Sequence, residues 1–311
     1  MKTIQYDHYG APGVLRLGER PIPEAGKGQV LVKVKAASVN PMDWKIRRGE
    51  MKFMSGSRFP RGLGHDFAGV VEALGADVDR VKVGDEVFGV SAIRQAGAFA
   101  EYLAVDEKSL WLKPPSVTFE QAAALTVVGI TAWTGLMEKA KLSAGQSVFI
   151  SGCLGGVGRS AVQLAQLVGA RIVGSCSAST REQAVALGVD EVVDYRAFDV
   201  THYRHRFDVV FDAAGALSLR QCGAMLKAGG KSLHIVPTPA KLLGCLLSSR
   251  HHLVFGQPNP QSMGGIGKAM EQGKLVAALG QVVPLTEAIP AIVELETTGL
   301  PKGKLVIVAN T

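Results

Sequence analysis

The stretch FISGCLGGVGRS, Phe149–Ser160, decides the fold. A short apolar run passes into Gly155, Gly156 and Gly158, and beyond them Val157, Ala161, Leu164, Ala165 and Val168 recur at helical spacing. Strand, glycine turn and helix in that order make a place where free backbone N–H groups and the helix dipole stabilise a pyrophosphate. Cys153 stands where such turns usually open with glycine. A side chain is tolerable there if the backbone keeps a negative φ. The plainer reading is that the glycines only let strand and helix pack closely.

Downstream, apolar runs alternate with longer helical segments: SVFIS, RIVGSCS, EVVDY, DVVFDAAG, KSLHIV and HHLVFG. This rhythm predicts an α/β fold, a parallel sheet covered by helices. Upstream, to about Leu112, runs such as QVLVKVKAASV and DEVFGVSA are broken by turn residues and predict a β-rich domain. Pro114 and Pro115 break the chain, and SVTFEQAAALTVV opens a helix with Ser116 as its cap. Two further helices and a closing strand, GKLVIVAN, follow the sixth apolar run.

A dinucleotide turn raises the question of which dinucleotide. An NAD-selective unit places an acid about twenty residues on, where it binds the adenosine ribose. Here no Asp or Glu occurs from Leu142 to Arg181, and the second strand ends in SCSASTR. A carboxylate would repel a 2′-phosphate, whereas Ser177, Ser179 and the Arg181 guanidinium can hold one. The cofactor expected is NADPH. The competing reading makes ASTRE a helix start, Ser179 capping and Glu182 completing a capping box.

The formal charge of +7 would suit an anionic partner, but Lys and Arg are scattered and no aromatic cluster offers stacking for bases, so nucleic-acid binding is not expected. No apolar run reaches the roughly 18 to 20 residues that span a bilayer, and the first ten residues do not resemble a secretion signal, which predicts a cytoplasmic protein without a membrane span. The four cysteines, Cys153, Cys176, Cys222 and Cys245, form neither a disulfide framework nor a zinc motif.

The segments GLGHDFAGVVEALGADVDRVKVGDEVFG, GAFAEYLAV, LTVVGITAWTGL, SGCLGGVG, FDVVFDAAG and GKLVIV, in this order, resemble the medium-chain dehydrogenase/reductase superfamily over nearly the whole chain. The resemblance implies a GroES-like β-rich catalytic domain (1–122), a Rossmann doubly wound parallel-sheet cofactor domain (123–257) and a C-terminal segment (258–311) returning to the first. It also implies a possible homodimer. The zinc enzymes of that superfamily use two cysteines and the histidine of a G-H-E motif. Here GHD keeps His65, while Asn40 and Val128 stand in the cysteine positions. A catalytic zinc wants three protein ligands, so no metal is expected and His65 is read as a buried, hydrogen-bonded residue.

The chain is therefore similar to the zinc-independent quinone oxidoreductases, which include enone and alkenal reductases. VNPMDWKIRRG, Val39–Gly49, carries this closer likeness. It places Asn40 beside the nicotinamide and Lys45 at the cofactor or the substrate oxygen, as the two catalytic candidates. A plain helix, with Asn40 as cap, Pro41 first, Asp43 third and Gly49 ending it, explains those four residues without chemistry but does not require Lys45. Further cofactor contacts implied by the resemblance are Thr131, Gly155 to Val157, Gly215, Val236, Pro258, Asn259 and Lys304. The activity expected is transfer of hydride from NADPH to a small-molecule quinone or α,β-unsaturated carbonyl. The alternative is an NADPH-binding protein with little turnover that serves redox sensing or structure.

Overall fold

The computed structural model describes residues 1–299 and 302–309. The first stretch runs β1 (Lys2–Tyr6), β2 (Arg16–Glu19), β3 (Gln29–Ser38), α1 (Pro41–Arg47), α2 (Lys52–Ser55), β4 (Arg61–Gly62), β5 (Asp66–Leu74), β6 (Glu86–Val90), β7 (Tyr102–Asp106) and β8 (Leu110–Leu112). In β3, Val32, Val34 and Ala36 are buried while Lys33 and Lys35 between them are half-exposed, the alternation that a one-sided sheet requires. Helix α3 (Phe119–Trp133) follows, continued by a π-helical segment, Thr134–Ala140. Its cap is Thr118, not Ser116: the Thr118 hydroxyl accepts the Gln121 N–H at 3.2 Å. An N-cap hydroxyl accepts the N–H of the second or third helical residue, here Gln121, and Ser116 is two positions too early.

The six apolar runs become β9 (Ser147–Ser151), β10 (Arg171–Cys176), β11 (Glu191–Asp194), β12 (Phe207–Asp212), β13 (Leu226–His234) and β14 (His251–Leu253). All pair parallel, in the order β11-β10-β9-β12-β13-β14. Between them lie α4 (Gly156–Leu167), α5 (Arg181–Ala186), α6 (Leu219–Met225) and α7 (Pro239–Leu247). The order reverses beside β9, the topological switch where doubly wound sheets bind nucleotides.

The remaining elements are α8 (Pro260–Glu271), β15 (Leu279–Pro284), α9 (Ala288–Thr298) and β16 (Lys304–Val308). Strand β16 runs antiparallel to β3, Val306 opposite Ser38, and parallel to β15. Its Leu305, Val306 and Ile307 are buried.

The chain divides into two compact units. The first comprises Met1–Val127, Pro258–Glu271 and Ala277–Thr311, and holds the β3–β16 sheet. The second comprises Val128–Gln257 and Gln272–Val276, and holds the parallel sheet. The core of the first is built on Ile4, Val32, Phe67, Phe99 and Leu305, and a core of the second on Val148, Ile150, Leu164, Phe211 and Leu233.

Candidate active site

In the first unit, a buried polar cluster surrounds Asn40, which follows β3 and precedes α1. The Asn40 N–H donates to Asp43 Oδ2 at 2.7 Å and its carbonyl accepts the Asp43 N–H at 2.9 Å, so the helix start is closed by backbone and by Asp43. Asn40's own side chain turns elsewhere. Its Nδ2 donates to Asp66 Oδ2 at 2.7 Å and to the Ser38 carbonyl at 3.4 Å, and its Oδ1 accepts from the Lys304 ammonium at 2.7 Å. Both amide hydrogens are thereby used, and only an acceptor site on Oδ1 remains.

Asp66 is fully buried and accepts from Ser38 Oγ at 2.6 Å and the Val127 N–H at 3.0 Å. Lys304 Nζ also donates to the Val39 carbonyl at 2.9 Å and lies 4.0 Å from Asp66. Burial pushes the Asp66 carboxyl up and the Lys304 ammonium down, and each partly restrains the shift of the other. His65 is buried with Nδ1 at 2.8 Å from Asp43 Oδ1 and, among the described residues, no partner on Nε2.

Lys45 lies half-buried on α1 and its ammonium makes no hydrogen bond or ion pair among the described residues. The helix that carries it is fixed at both ends. Gly49, at φ +83°, lets the chain leave after Arg48. One buried Arg47 nitrogen lies 2.6 and 2.7 Å from the two oxygens of Glu296 on α9, which Arg48 also reaches at 2.5 Å. Pro258 and Asn259 also belong to this unit; Asn259 Oδ1 accepts the Ser262 N–H at 2.9 Å and so caps α8.

In the second unit, the expected cofactor residues gather at the carboxyl ends of adjacent strands. Gly155 caps α4 after β9, with Gly156 and Val157 in its first turn; Ser177 to Arg181 follow β10, Gly215 follows β12 and Val236 follows β13. A Cβ on Gly215 would come within 2.5 Å of Val236 Cγ2, so these two ends touch. The turn itself demands glycine at Gly152, where φ is +61°, and at Gly158, whose Cβ would lie 2.1 Å from the Gly152 carbonyl. Cys153 needs no left-handed backbone, and its side chain fills the room left by Gly174 on β10. Burial raises its thiol to about 12, so it is inert as a nucleophile.

At the end of β10, Ser177 Oγ lies 2.9 Å from Ser179 Oγ and 3.1 Å from Thr180 Oγ1, and Arg181 donates through Nη1 to the Val192 carbonyl at 2.8 Å. The cap of α5 is Thr180 and no side chain closes it, because a 3-10 turn, Ala178–Thr180, precedes the helix. The capping box of Ser179 and Glu182, the competing reading of ASTRE, does not form. Thr131 is buried on α3, against the backbone of Gly256.

Sequence reading missed the anchor beneath these strand ends. Asp212, fully buried at the end of β12, accepts from Ser151 Oγ at 2.8 Å, Lys241 Nζ at 2.7 Å and the Ala216 N–H at 3.1 Å, with His234 Nδ1 3.7 Å away. Burial alone would raise its carboxyl, but His234, Lys241 and Ser151 more than reverse this, to about 2. Asp212 stands in the quoted FDVVFDAAG motif; nothing local marks Lys241 as its partner.

Two family models match the chain, the alcohol dehydrogenase GroES-like domain over residues 26–115 and the zinc-binding dehydrogenase over residues 187–307. The 2-methylene-furan-3-one reductase of Solanum lycopersicum is 34% identical over 99% of this chain and 79% of its own length. The chain belongs to the medium-chain dehydrogenase/reductase superfamily. Within the superfamily, the chloroplastic NADPH-dependent alkenal/one oxidoreductase of Arabidopsis thaliana is 38% identical over 74% of this chain and 61% of that protein. A solved quinone oxidoreductase from Coxiella burnetii superposes with a TM-score of 0.90 at 32% identity, covering 100% of this chain and 99% of that one.

The protein is thus a medium-chain oxidoreductase of the quinone and enone type, with a GroES-like β domain, a Rossmann domain and a nicotinamide cofactor. The glycine turn and strand ends fit such a dinucleotide. The donors near His65 do not fit a zinc ion: the residue in the first ligand position, Asn40, already gives its oxygen to the Lys304 ammonium, and the second position is a buried Val128. No helix among the described residues is long and apolar enough to cross a membrane.

Proposed function

We propose that the protein reduces a quinone or an α,β-unsaturated carbonyl with NADPH, without zinc, and that Lys45 stabilises the negative charge arising on the substrate oxygen. Bound NADPH supplies the hydride. The observation that carries the role of Lys45 is the division of labour on and beside α1. Asn40 has spent both donors on Asp66 and Ser38, and Lys304 is committed to Asn40 and Val39. Lys45 keeps an uncommitted ammonium on a helix fixed by Glu296. A positioned cation of this kind lowers the barrier by meeting charge as it develops.

The remaining acceptor site on Asn40 suits a carboxamide N–H of the nicotinamide, a cofactor role distinct from that of Lys45. NADPH preference is supported by the acid-free run from Leu142 to Arg181 and by the hydroxyls of Ser177 and Ser179 beside Arg181. The same reading assigns Thr131, Gly155 to Val157, Gly215, Val236, Pro258 and Asn259 to the cofactor. It carries with it the cytoplasmic location and the homodimer expected from the sequence, tested by fractionation and sedimentation velocity.

The deciding experiment follows absorbance at 340 nm with NADPH against quinones, α,β-unsaturated ketones and alkenals. Turnover of at least one class is expected. Tight NADPH binding with no turnover would replace the enzyme by a cofactor-binding sensor, and tighter binding of NADH would reject the cofactor assignment.

A further inference from the structure

Three buried side chains of the first unit hold more hydrogen-bond donors than the protein around them accepts. Tyr6 and Arg47 are 0% exposed and Arg61 7%. Among the described residues, the Tyr6 hydroxyl, Arg47 Nε and Nη1, and Arg61 Nε have no hydrogen-bond partner. Folded proteins leave few such groups unpaired, and an ion or a water commonly accounts for the exceptions.

The three side chains belong to one cluster. Tyr6 on β1 stands opposite Arg61 on β4, and its ring lies 6.3 Å from Tyr9 and 5.8 Å from Phe59. The Tyr9 hydroxyl is 2.9 Å from Ser55 Oγ, and the Ser55 carbonyl accepts from Arg61 Nη1 at 2.7 Å, which closes a circle back to β4. Arg47 joins from α1, its carbonyl accepting the Gly10 N–H at 3.0 Å beside Tyr9. Both guanidiniums act on the Tyr6 phenol.

The charges in this cluster do not balance. Arg47 meets Glu296 through Nη2, and Arg48 reaches Glu296 and Glu50. Arg61 has no carboxylate partner among the described residues; its Nη1 and Nη2 donate only to the carbonyls of Ser55 and Ile93. A guanidinium does not deprotonate, so burying one without a counter-ion is strongly unfavourable. Tyr6 is not that counter-ion: burial pushes its phenol up, further than Arg61 and Arg47 pull it down, and it stays a neutral donor. Water would meet the donors and leave the charge.

We propose that Tyr6, Arg47 and Arg61 bind one compact monovalent anion, of chloride or bromide size, inside the first unit. Two guanidiniums and a hydroxyl give such an ion charge-assisted hydrogen bonds. The burial of all three beside Phe59 and Tyr9 selects a single small ion over a phosphate or a carboxylate on a longer molecule. The ion ties β1 and β4 to α1, and the proposal is independent of the reductase reading.

The test is equilibrium unfolding of the full-length protein at constant ionic strength, with sodium chloride or bromide replacing sodium gluconate. Once the site is filled, the unfolding equilibrium constant should fall about tenfold for each tenfold rise in halide, the signature of one ion bound to the folded state. Arg61→Met should flatten this dependence. Tyr6→Phe should shift it to roughly tenfold higher halide, the loss of one hydrogen bond to a charged group, and decides the matter if Arg61→Met does not fold. Bromide-soaked crystals should show an anomalous peak among the four donor atoms. Stability indifferent to halide, with no bromide peak, overturns the proposal and assigns the donors to water. A halide dependence that survives in the variants also overturns it, because the ion then binds elsewhere.

Discussion

Lys45 and Lys304 show how two ammonium groups near one loop acquire different work. Lys304 is inside the protein, bonded to two oxygen acceptors and 4.0 Å from the Asp66 carboxylate, so its removal is a structural injury. Lys304→Met leaves the Asp66 carboxylate buried without its cation, a loss of about 3 to 5 kcal/mol by analogy with broken buried pairs. Denaturant unfolding measures it, and Asp66→Asn in the same chain should recover part of the loss. Lys45 has no such partner. Lys45→Met should lower kcat about a hundredfold while leaving stability within about 0.5 kcal/mol, and Lys45→Arg should retain part of the rate. Unchanged kcat in Lys45→Met would remove it from the chemistry. The sequence motif already separated Lys45 from the helix signals around it. It did not show that Asn40 lacks a spare donor, because Asp66 and Lys304 reach it from 26 and 264 residues away.

At the scale of elements, the unusual cysteine of the glycine turn is half of a pair. Cys153 occupies space that an ordinary residue at position 174 would fill, with Cys153 Cβ and Sγ only 2.9 Å from where a Cβ on Gly174 would stand. Gly174→Ala should therefore destabilise by about 1 to 3 kcal/mol through overpacking. Adding Cys153→Gly should relieve it, giving a coupling of about 1 kcal/mol or more in a double-mutant cycle. Additive effects would mean that the two positions are independent. The six parallel strands were legible because each is a short apolar run between turn residues, and the run itself drives burial in the sheet. Helix α7 was not. Periodicity would turn the leucines of KLLGCLL inward, and only the long-range bond from Lys241 to Asp212 explains why the opposite face is buried.

For the whole molecule, the Asp212 anchor predicts how stability responds to acid. Its carboxyl is held at about 2 against an ordinary value of 3.8, so it favours the folded state above pH 3.8 and loses that contribution as pH falls from 3.8 toward 2. The loss is about 2 kcal/mol, read as a fall in unfolding free energy across that window. Asp212→Asn should be less stable at neutral pH and should lack this component of the acid slope. Strand β16 has the wider effect. The first unit is assembled from sequence on either side of the second, and β3 lacks one neighbour, and Asp66 its cation, until β16 is in place. During synthesis the parallel-sheet unit, nearly continuous in sequence, can fold while β16 is still inside the ribosome. The older, N-terminal sheet must wait with the end of β3 at Ala36, Ala37 and Ser38 as an open edge. The most aggregation-prone interval in the life of this enzyme is therefore set by translation time over some 265 residues, the separation of Val39 from Lys304.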